Sequence, residues 1–384
     1  MFIKIENDVI DLLEKSKDQF DTCVMVIDKL FDSMLMGKHI VYSSAKNLKR
    51  ITQVPLISER TRLYVSWILK EYPTIYGCKN IVDIYLLVSA KSSEVILNED
   101  CFQIPLEYAL DIRETKLLTE HESDAKFYIE LSKYIQKKQR INTFYSISYE
   151  NDSYHGTNGK VKIEQVAESK RIVLCVVDTD KDYPEGSHGD TYRVVKKAVN
   201  SAKRKIAIKL VELPVREKEN LFPATIYKEF SGNGLIHVIS DNYSDNEVIA
   251  NYFDIKEGVK YKKYINRDEK WNKYFGELLS DCINEEICNN KLTMGDGDKY
   301  YIVGIGDKIC DGVVDALFLG DKALVKRHFN SLSEAQRERI MKNRQNMLDS
   351  LPEFVIKNWE TLSQPIFSWG CCIDRKRYPA QRDW

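Results

Sequence analysis

Apolar positions along the first hundred residues follow two different periods. Between residues 8 and 40, and again from Glu59 to Tyr72, they recur with the spacing of a helix face. Residues 80–108 instead contain short runs in which apolar and polar positions alternate, and this pattern predicts strands. We therefore expect residues 1–108 to form a mixed α/β N-terminal region.

The middle of the chain alternates predicted strands with predicted helices. Strands are expected at KLLTE (116–120), INTFYSI (141–147), RIVLCVV (171–177) and IAIKLVELP (206–214), with helical patterns between them. The run RIVLCVV is almost wholly apolar, as is typical of a strand covered on both faces. Alternating strands and helices imply a parallel sheet with right-handed crossovers. The sequence therefore predicts an α/β domain with a mainly parallel sheet over residues 109–231.

Residues 232–384 are expected to form an α+β C-terminal region. Strands are predicted near 235–240 and 300–305, and helical patterns follow them.

In the first helix of the middle region, Ser123 is a candidate N-cap.

Composition narrows the class of protein. The 384 residues include 57 basic and 58 acidic side chains, and a formal net charge of -1 excludes a globally basic protein of the histone type. No apolar run reaches about 18 residues, so we expect no transmembrane helix and no membrane partner. The chain has nine cysteines without regular spacing, and its N-terminal segment does not resemble a signal peptide. Together these features predict reduced thiols and a cytoplasmic protein.

Acidic residues follow the ends of three predicted strands of the middle region. They are Glu120 as the last residue of the first strand, Asp178, Asp180 and Asp182 directly after RIVLCVV, and Glu217 and Glu219 after the fourth strand. The carboxyl ends of parallel strands meet at one edge of a sheet, so we expect these carboxylates to meet there. Clustered carboxylates repel one another unless a cation offsets them, and Mg²⁺ prefers oxygen ligands. A solvated acidic turn and a DxD phosphatase of the haloacid-dehalogenase type stay open as alternatives.

Three motifs in this order resemble a TOPRIM domain, the metal-binding module of topoisomerases, primases and OLD-family nucleases. They are LLTEHESDAKFY with Glu120 as the motif acid, RIVLCVVDTDKDYP with Asp178 and Asp180 as the DxD pair, and REKENLFP, which is similar to a segment of OLD-like and related defence proteins. The resemblance covers residues 112–231. One departure is that His121 and Glu122 follow the motif acid, where the family usually has glycine.

The resemblance implies a nuclease that uses Mg²⁺ or Mn²⁺ to cleave phosphodiester bonds. In this reading Asp178 and Asp180 hold metal, Glu120 joins them or moves protons, and Asp182 with Glu217 or Glu219 supports a second ion. Lys181 is a candidate for offsetting charge in the transition state, because it lies within the DxD loop. His155, which stands among glycines in YHGTNGK, is a candidate for proton transfer, and an ordinary loop histidine is the alternative.

The resemblance also suggests a biological setting and a set of partners. Single-chain TOPRIM effectors of bacterial antiphage systems act with a separate sensor or inhibitor, such as an ATPase or a reverse transcriptase with its RNA. We therefore expect a partner-controlled toxic effector of abortive infection, and an oligomer is compatible with this view. The alternative is a catalytically inactive TOPRIM-like subunit that binds or scaffolds a defence complex.

A basic helix is predicted next to the acidic loop. Its sequence, TYRVVKKAVNSAKRK, contains the candidate nucleic-acid-binding residues Arg193, Lys196, Lys197, Lys203 and Arg204. These side chains can bind the phosphates of DNA or RNA, including tRNA. A solvated helix face is the alternative.

Overall fold

The structure, a computed structural model, describes residues 1–15, 19–223, 226–227, 246–260, 269–271, 273–275, 300–305, 307–319 and 333–377. Contacts divide the chain into two compact units. The first comprises Met1–Val177, Arg193–Val211 and Leu362–Trp384, and the second comprises Asp178–Tyr192 and Glu212–Thr361. The three regions inferred from the sequence stay a prediction of the domain boundaries. Within the described part of the chain, no helix combines the length and apolar character needed to span a bilayer.

A five-stranded sheet occupies the N-terminal part of the first unit. Its strands are β1 (Phe2–Ile5), β2 (Ile40–Tyr42), β3 (Tyr85–Val88), β4 (Ile96–Leu97) and β5 (Cys101–Ile104), in the order β2-β1-β3-β5-β4. All pairs are parallel except the edge pair of β4 with β5. The helices are α1 (Asn7–Lys15), α2 (Phe20–Leu35), α3 (Ala45–Gln53), α4 (Glu59–Lys70), α5 (Tyr72–Tyr76) and α6 (Leu106–Leu110). The Ser44 hydroxyl accepts a hydrogen bond from Asn47 N and caps α3.

A second, four-stranded sheet carries the predicted α/β pattern. Its elements are β6 (Lys116–Thr119), α7 (Glu122–Lys138), β8 (Glu150–Ser153), α8 (Gly159–Glu168), β9 (Val173–Val177), α9 (Asp190–Ala202) and β10 (Ile208–Glu212). The strand order is β10-β9-β6-β8, and all pairs are parallel. All five residues of β9 are buried, as the apolar run RIVLCVV predicts. The predicted α/β class with a mainly parallel central sheet is confirmed.

The remaining described elements complete the two units. They are β7 (Tyr145–Ile147), α10 (Glu247–Tyr252), β11 (Gly258–Lys260), β12 (Tyr300–Val303), α11 (Asp307–Val314), α12 (Glu334–Asp349), α13 (Glu353–Gly370) and β13 (Cys371–Ile373). β11 pairs with β12, and β13 pairs with β7, both in antiparallel fashion. Short 3-10 turns cover Gly156–Asn158 and Lys218–Leu221. The strand predicted at 300–305 is confirmed as β12, and the one near 235–240 lies outside the described residues.

The strand predicted at 141–147 does not belong to the central sheet. Its last residues form β7, and the parallel neighbour of β6 is instead β8, whose sequence ENDS contains no apolar residue. Charge accounts for this edge strand, because Lys116 Nζ lies 2.8 Å from Glu150 Oε1 and 2.6 Å from Asp152 Oδ2. A search for apolar runs therefore misses a strand that is fixed by ion pairs.

Two local expectations from the sequence were also wrong. The helical pattern of residues 8–40 ends with α2 at Leu35, and Ile40 already begins β2. The N-cap of α7 is His121 and not Ser123. The reason is a capping box, in which Asp124 accepts a hydrogen bond from His121 N at 2.9 Å while the His121 side chain accepts from the Asp124 backbone.

Candidate metal and catalytic site

The residues predicted to share one site belong to different units of the chain. Glu120, His155 and the predicted nucleic-acid-binding residues belong to the first unit. The second unit contains Asp178, Asp180, Lys181, Asp182, Glu217 and Glu219. Each group therefore has a local geometry of its own.

In the second unit, acidic side chains surround the guanidinium group of Arg216. Its Nη1 atom donates to Asp182, its Nη2 atom lies 3.4 Å from Asp254 Oδ2, and its Nε atom lies 3.5 Å from Glu217 Oε1. We term this group the Arg216 cluster, and it consists of Arg216 with Asp180, Asp182, Glu217, Glu219 and Asp254. Three carboxyl groups thus pair with the guanidinium, Asp180 is close enough to feel its charge, and Glu219 is close enough to act on Glu217. Lys256 is a second cation close enough to act on Asp180 and Glu217.

Backbone hydrogen bonds fix the loop after β9 to the loop after β10. The amides of Thr179 and Asp180 both donate to Arg216 O, at 2.9 and 3.0 Å. The Thr179 hydroxyl donates to Val215 O at 2.9 Å, and Arg216 N donates to Asn251 O at 2.8 Å. The DxD loop (residues 178–182) and the REKEN segment (residues 216–220) are therefore parts of one hydrogen-bonded structure, as the strand-end argument predicts for these two acidic groups.

The middle of the DxD loop has an uncommon backbone conformation. Asp180 has a backbone φ of 53°, which lies in the left-handed region that residues other than glycine rarely adopt. Gly189 packs so closely against Asp180 that a Cβ atom at position 189 would overlap the Asp180 carboxylate. Gly189 N also donates to Thr179 O at 3.1 Å, which closes the loop on itself. Backbone strain of this kind is concentrated at functional sites, because the surrounding structure must hold it in place.

Burial and mutual repulsion make two carboxyl groups of the Arg216 cluster hard to ionise. Burial, followed by the charge of Glu219, raises the pKa of Glu217 from 4.5 to about 8, although Arg216 and Lys256 act in the opposite direction. The pKa of Asp180 is also raised, first by burial and then by Asp254 and Asp182. Glu217 therefore holds a proton at neutral pH when no further cation is present.

The donor chemistry of the Arg216 cluster fits a hard divalent cation. The atoms that its acidic side chains offer to a metal are carboxylate oxygens, which such a cation prefers. The buried Glu217 Oε1 atom accepts no hydrogen bond from any described residue. A cation would take the place of the proton that Glu217 retains. Within the described ranges, no three His, Cys, Asp or Glu side chains already surround a common point as metal ligands do. Asp182 and Asp254 are turned towards Arg216 instead.

Buried contacts hold the REKEN segment in place. Glu219 is 2% exposed and lies in the turn Lys218–Leu221. The indole Nε1 of fully buried Trp359 donates to Leu221 O at 2.7 Å, and the Tyr227 hydroxyl donates to Glu219 O at 2.7 Å. The side chain of Asn220 donates to two backbone carbonyls at 2.8 Å each. Glu217 and Glu219 therefore stand on a packed support and not on a free loop.

In the first unit, Glu120 and His155 lie together. His155 N donates to Glu120 O at 3.1 Å, and a Cβ atom on Gly156 would lie 3.6 Å from Glu120 Oε1. His155 has a φ of 51°, and its Nε2 atom lies 3.0 Å from Ser153 Oγ. The rings of His121 and His155 are 6.2 Å apart. Glu120 thus lies beside two histidines, whose imidazole nitrogens belong to the groups that can accept and donate protons.

Four of the five predicted basic residues, all except Lys203, line a concave surface along α9. Arg193, Lys196, Lys197 and Arg204 line a groove of about 710 Å³ together with Asn200 and Ser201. Lys203 and Arg204 follow the last residue of α9, so the helix is shorter than the basic pattern suggests. Hydroxyl and amide groups among cations are typical of surfaces that bind phosphates.

No family model, no curated protein and no solved structure matches this chain. The resemblance to TOPRIM domains therefore stays a prediction from the three sequence motifs.

Two members of the Arg216 cluster were missed by the sequence reasoning. Arg216 stands directly before Glu217, and a cation among acids after a strand end is a signal that was available. Asp254 follows α10 and is surrounded in the sequence by Phe253 and Ile255, a pattern that resembles any helix end. Only the tertiary contact with Arg216 identifies it.

Proposed function

We propose that this chain is a divalent-metal-dependent nuclease of the TOPRIM type, which cleaves phosphodiester bonds of DNA or RNA. The observation that carries the proposal is the parallel strand order, in which β6 and β9 are neighbours. Glu120 is the first residue after β6, and Asp178 is the first residue after β9. Ligand sites of α/β sheets lie at the carboxyl ends of such strands.

In this proposal the acidic residues bind Mg²⁺ or Mn²⁺. Asp178 and Asp180 would hold one ion, and Asp182, Glu217 and Glu219 are the candidates for a second. A bound divalent ion supplies polarisation of the phosphate and lowers the pKa of an attacking water. The raised pKa values of Asp180 and Glu217 support the proposal, because carboxyl groups crowded in this way gain from a cation.

The remaining candidates orient the substrate and move protons. Glu120 would accept the proton of the attacking water or join the metal ligands. His155, whose amide donates to Glu120 O and whose Nε2 atom lies 3.0 Å from Ser153 Oγ, would pass that proton on to solvent, directly or through the Ser153 hydroxyl. Lys181 would offset charge on the phosphate. The groove along α9 would bind the nucleic-acid backbone through its phosphates.

We further propose that the activity is controlled by a partner in the bacterial cytoplasm. A sensor or inhibitor subunit, such as an ATPase or a reverse transcriptase with its RNA, would restrain a toxic effector of antiphage defence. The support for this setting is the resemblance alone.

The test is cleavage of mixed DNA and total RNA by the purified chain with Mg²⁺ or Mn²⁺, beside the double variant Asp178→Asn/Asp180→Asn. We expect the parent to cut in a metal-dependent manner and the cleavage rate of the double variant to be lower by about a hundredfold or more. The reason is that metal-binding carboxylates are required for such chemistry. Asp349→Asn, at an exposed position of α12, is the matched control and should cut normally. Equal cutting by the double variant and the parent would refute the site. Turnover of an aryl phosphate without nucleic-acid cleavage would indicate a phosphatase instead.

A binding or scaffold subunit is the second candidate. The observation that favours it is the ion pairing of Asp182 and Asp254 with Arg216, which offsets acidic charge without any metal. Toxicity in cells that express this chain together with the genes encoded beside it separates the two candidates. A scaffold keeps its phenotype in the Asp178→Asn/Asp180→Asn variant, whereas a nuclease loses it.

A further inference from the structure

A pair of stacked tyrosines stands beside the DxD loop in the second unit. The rings of Tyr183 and Tyr274 are nearly parallel, with centroids 5.7 Å apart and planes at 21°. Tyr183 follows Asp182 directly in DTDKDY, and both tyrosines are partly exposed to solvent. Lys273 is exposed next to Tyr274, and its Nζ atom lies 5.5 Å from the centre of that ring.

The position of Tyr274 is fixed by buried aromatic packing. Its neighbours Trp271 and Phe275 are 3% and 1% exposed. Both pack against Phe253, with ring centroids 6.5 and 4.9 Å away. Phe253 directly precedes Asp254, which pairs with Arg216. The same packed segment therefore supports the tyrosine pair and one carboxylate of the Arg216 cluster.

The position of Tyr183 is fixed by a tight turn. Gly186 N donates to Tyr183 O at 2.8 Å, and a Cβ atom on Gly186 would approach that oxygen to 2.9 Å. Tyr183 is thus bound to the acidic loop in a defined place, and the two rings meet there without the deep burial that the aromatic residues of the core have.

We propose that Tyr183 and Tyr274 form a stacking platform for an unpaired nucleobase, and that the chain therefore acts on single-stranded nucleic acid. This inference rests on the proposed nuclease function. Every base has an aromatic face that can stack on tyrosine, and in a duplex those faces are covered by neighbouring base pairs. Lys273 adds a cation for the adjacent phosphate. The platform would hold a base next to the carboxylates that act on the backbone.

The test is binding of labelled single-stranded DNA and RNA, and of the matching duplexes, to the full chain with Asp178→Asn/Asp180→Asn to prevent cutting. Fluorescence anisotropy gives the affinities. We expect Tyr183→Ala and Tyr274→Ala each to weaken single-strand binding about tenfold, while duplex binding changes less than about twofold. Tyr183→Phe and Tyr274→Trp keep the stacking face and should bind like the parent. Tyr134→Ala, a partly exposed tyrosine of α7, is the control.

A second measurement reports stacking itself. An oligonucleotide with 2-aminopurine should lose fluorescence on binding the parent and recover it with the alanine variants. Unchanged single-strand binding by the alanine variants overturns the platform, as does a parent that binds no single strand. Cutting that is lost with the DxD residues but does not depend on the tyrosines would leave the nuclease standing and refute the platform. Single-strand binding that depends on the tyrosines, without any cutting, would support the platform and refute the nuclease.

Discussion

The substitution Glu217→Gln should make the metal-free protein more stable at alkaline pH. Glu217 is largely buried within the Arg216 cluster, and its pKa is raised to about 8. Glutamine has nearly the same shape as the protonated carboxyl group but never ionises. The variant therefore removes the buried negative charge and leaves Arg216 with its contacts to Asp182 and Asp254.

The sign and size of the effect follow from the two pKa values. Between pH 4.5 and about pH 8, Glu217 keeps its proton in the folded protein and releases it on unfolding. The free energy of unfolding of the parent therefore falls as the pH rises through this window, and it levels off above it. The full difference corresponds to roughly 5 kcal/mol as an upper bound, because water entry and local relaxation reduce the cost of the buried charge.

Urea unfolding of both proteins at pH 5 and pH 9 in EDTA measures this difference. The two midpoints should nearly coincide at pH 5, and that of the variant should be clearly higher at pH 9. The raised pKa of Asp180 makes the free energy of unfolding of both proteins fall with rising pH in the same way. The comparison between the two proteins therefore isolates Glu217. Glu334→Gln, at an exposed position in the first turn of α12, is the matched control. Addition of Mg²⁺ at pH 9 should stabilise the parent more than Glu217→Gln.

A parent that keeps its stability from pH 5 to pH 9, or a Glu217→Gln variant that is less stable than the parent at pH 9, would refute the reasoning. Either result would mean that Glu217 is ionised at neutral pH and that Arg216 outweighs its burial. The carboxyl group would then need no further cation.

Three other substitutions test separate contacts. Gly189→Ala would force its new methyl group against Asp180, so we expect weaker Mg²⁺ binding by calorimetry and a loss of stability of about 1–3 kcal/mol. Trp359→Phe leaves Leu221 O without its donor and opens a void, and denaturant unfolding should show a loss of roughly 2–4 kcal/mol. Ser44→Ala removes the N-cap of α3 and should lower the unfolding free energy by about 1 kcal/mol, whereas Ser44→Asp should retain most of it.

The parts of the fold that the sequence predicts well are those fixed by burial. The strand β9 is recognisable because all its residues are apolar, and α7 is recognisable because Phe127, Leu131 and Ile135 recur on one face. The strand β8 escapes the same search, because its register is held by the ion pairs of Glu150 and Asp152 with Lys116. Polar edge strands carry no hydrophobic pattern.

The candidate site was predictable only where it follows strand ends. The strand-end rule places Asp180 and Glu217 in the same neighbourhood, and the structure brings their loops together through Arg216. Asp254 lies between α10 and β11 and does not follow a strand, so the strand-end rule does not predict its position. The stacking of Tyr183 on Tyr274 joins residues about ninety positions apart, and such contacts depend on tertiary packing.

The pairing of β7 with β13 has a consequence for synthesis on the ribosome. The Tyr149 hydroxyl, just after β7, donates to Ile366 O, and 217 residues separate the two. At about 5–20 residues per second, the partner of β7 emerges roughly 10–40 s after β7 itself. During that interval β7 stays an open strand edge, to which another nascent chain can add. Chaperone binding to the nascent chain should therefore persist until residues 371–373 have left the exit tunnel.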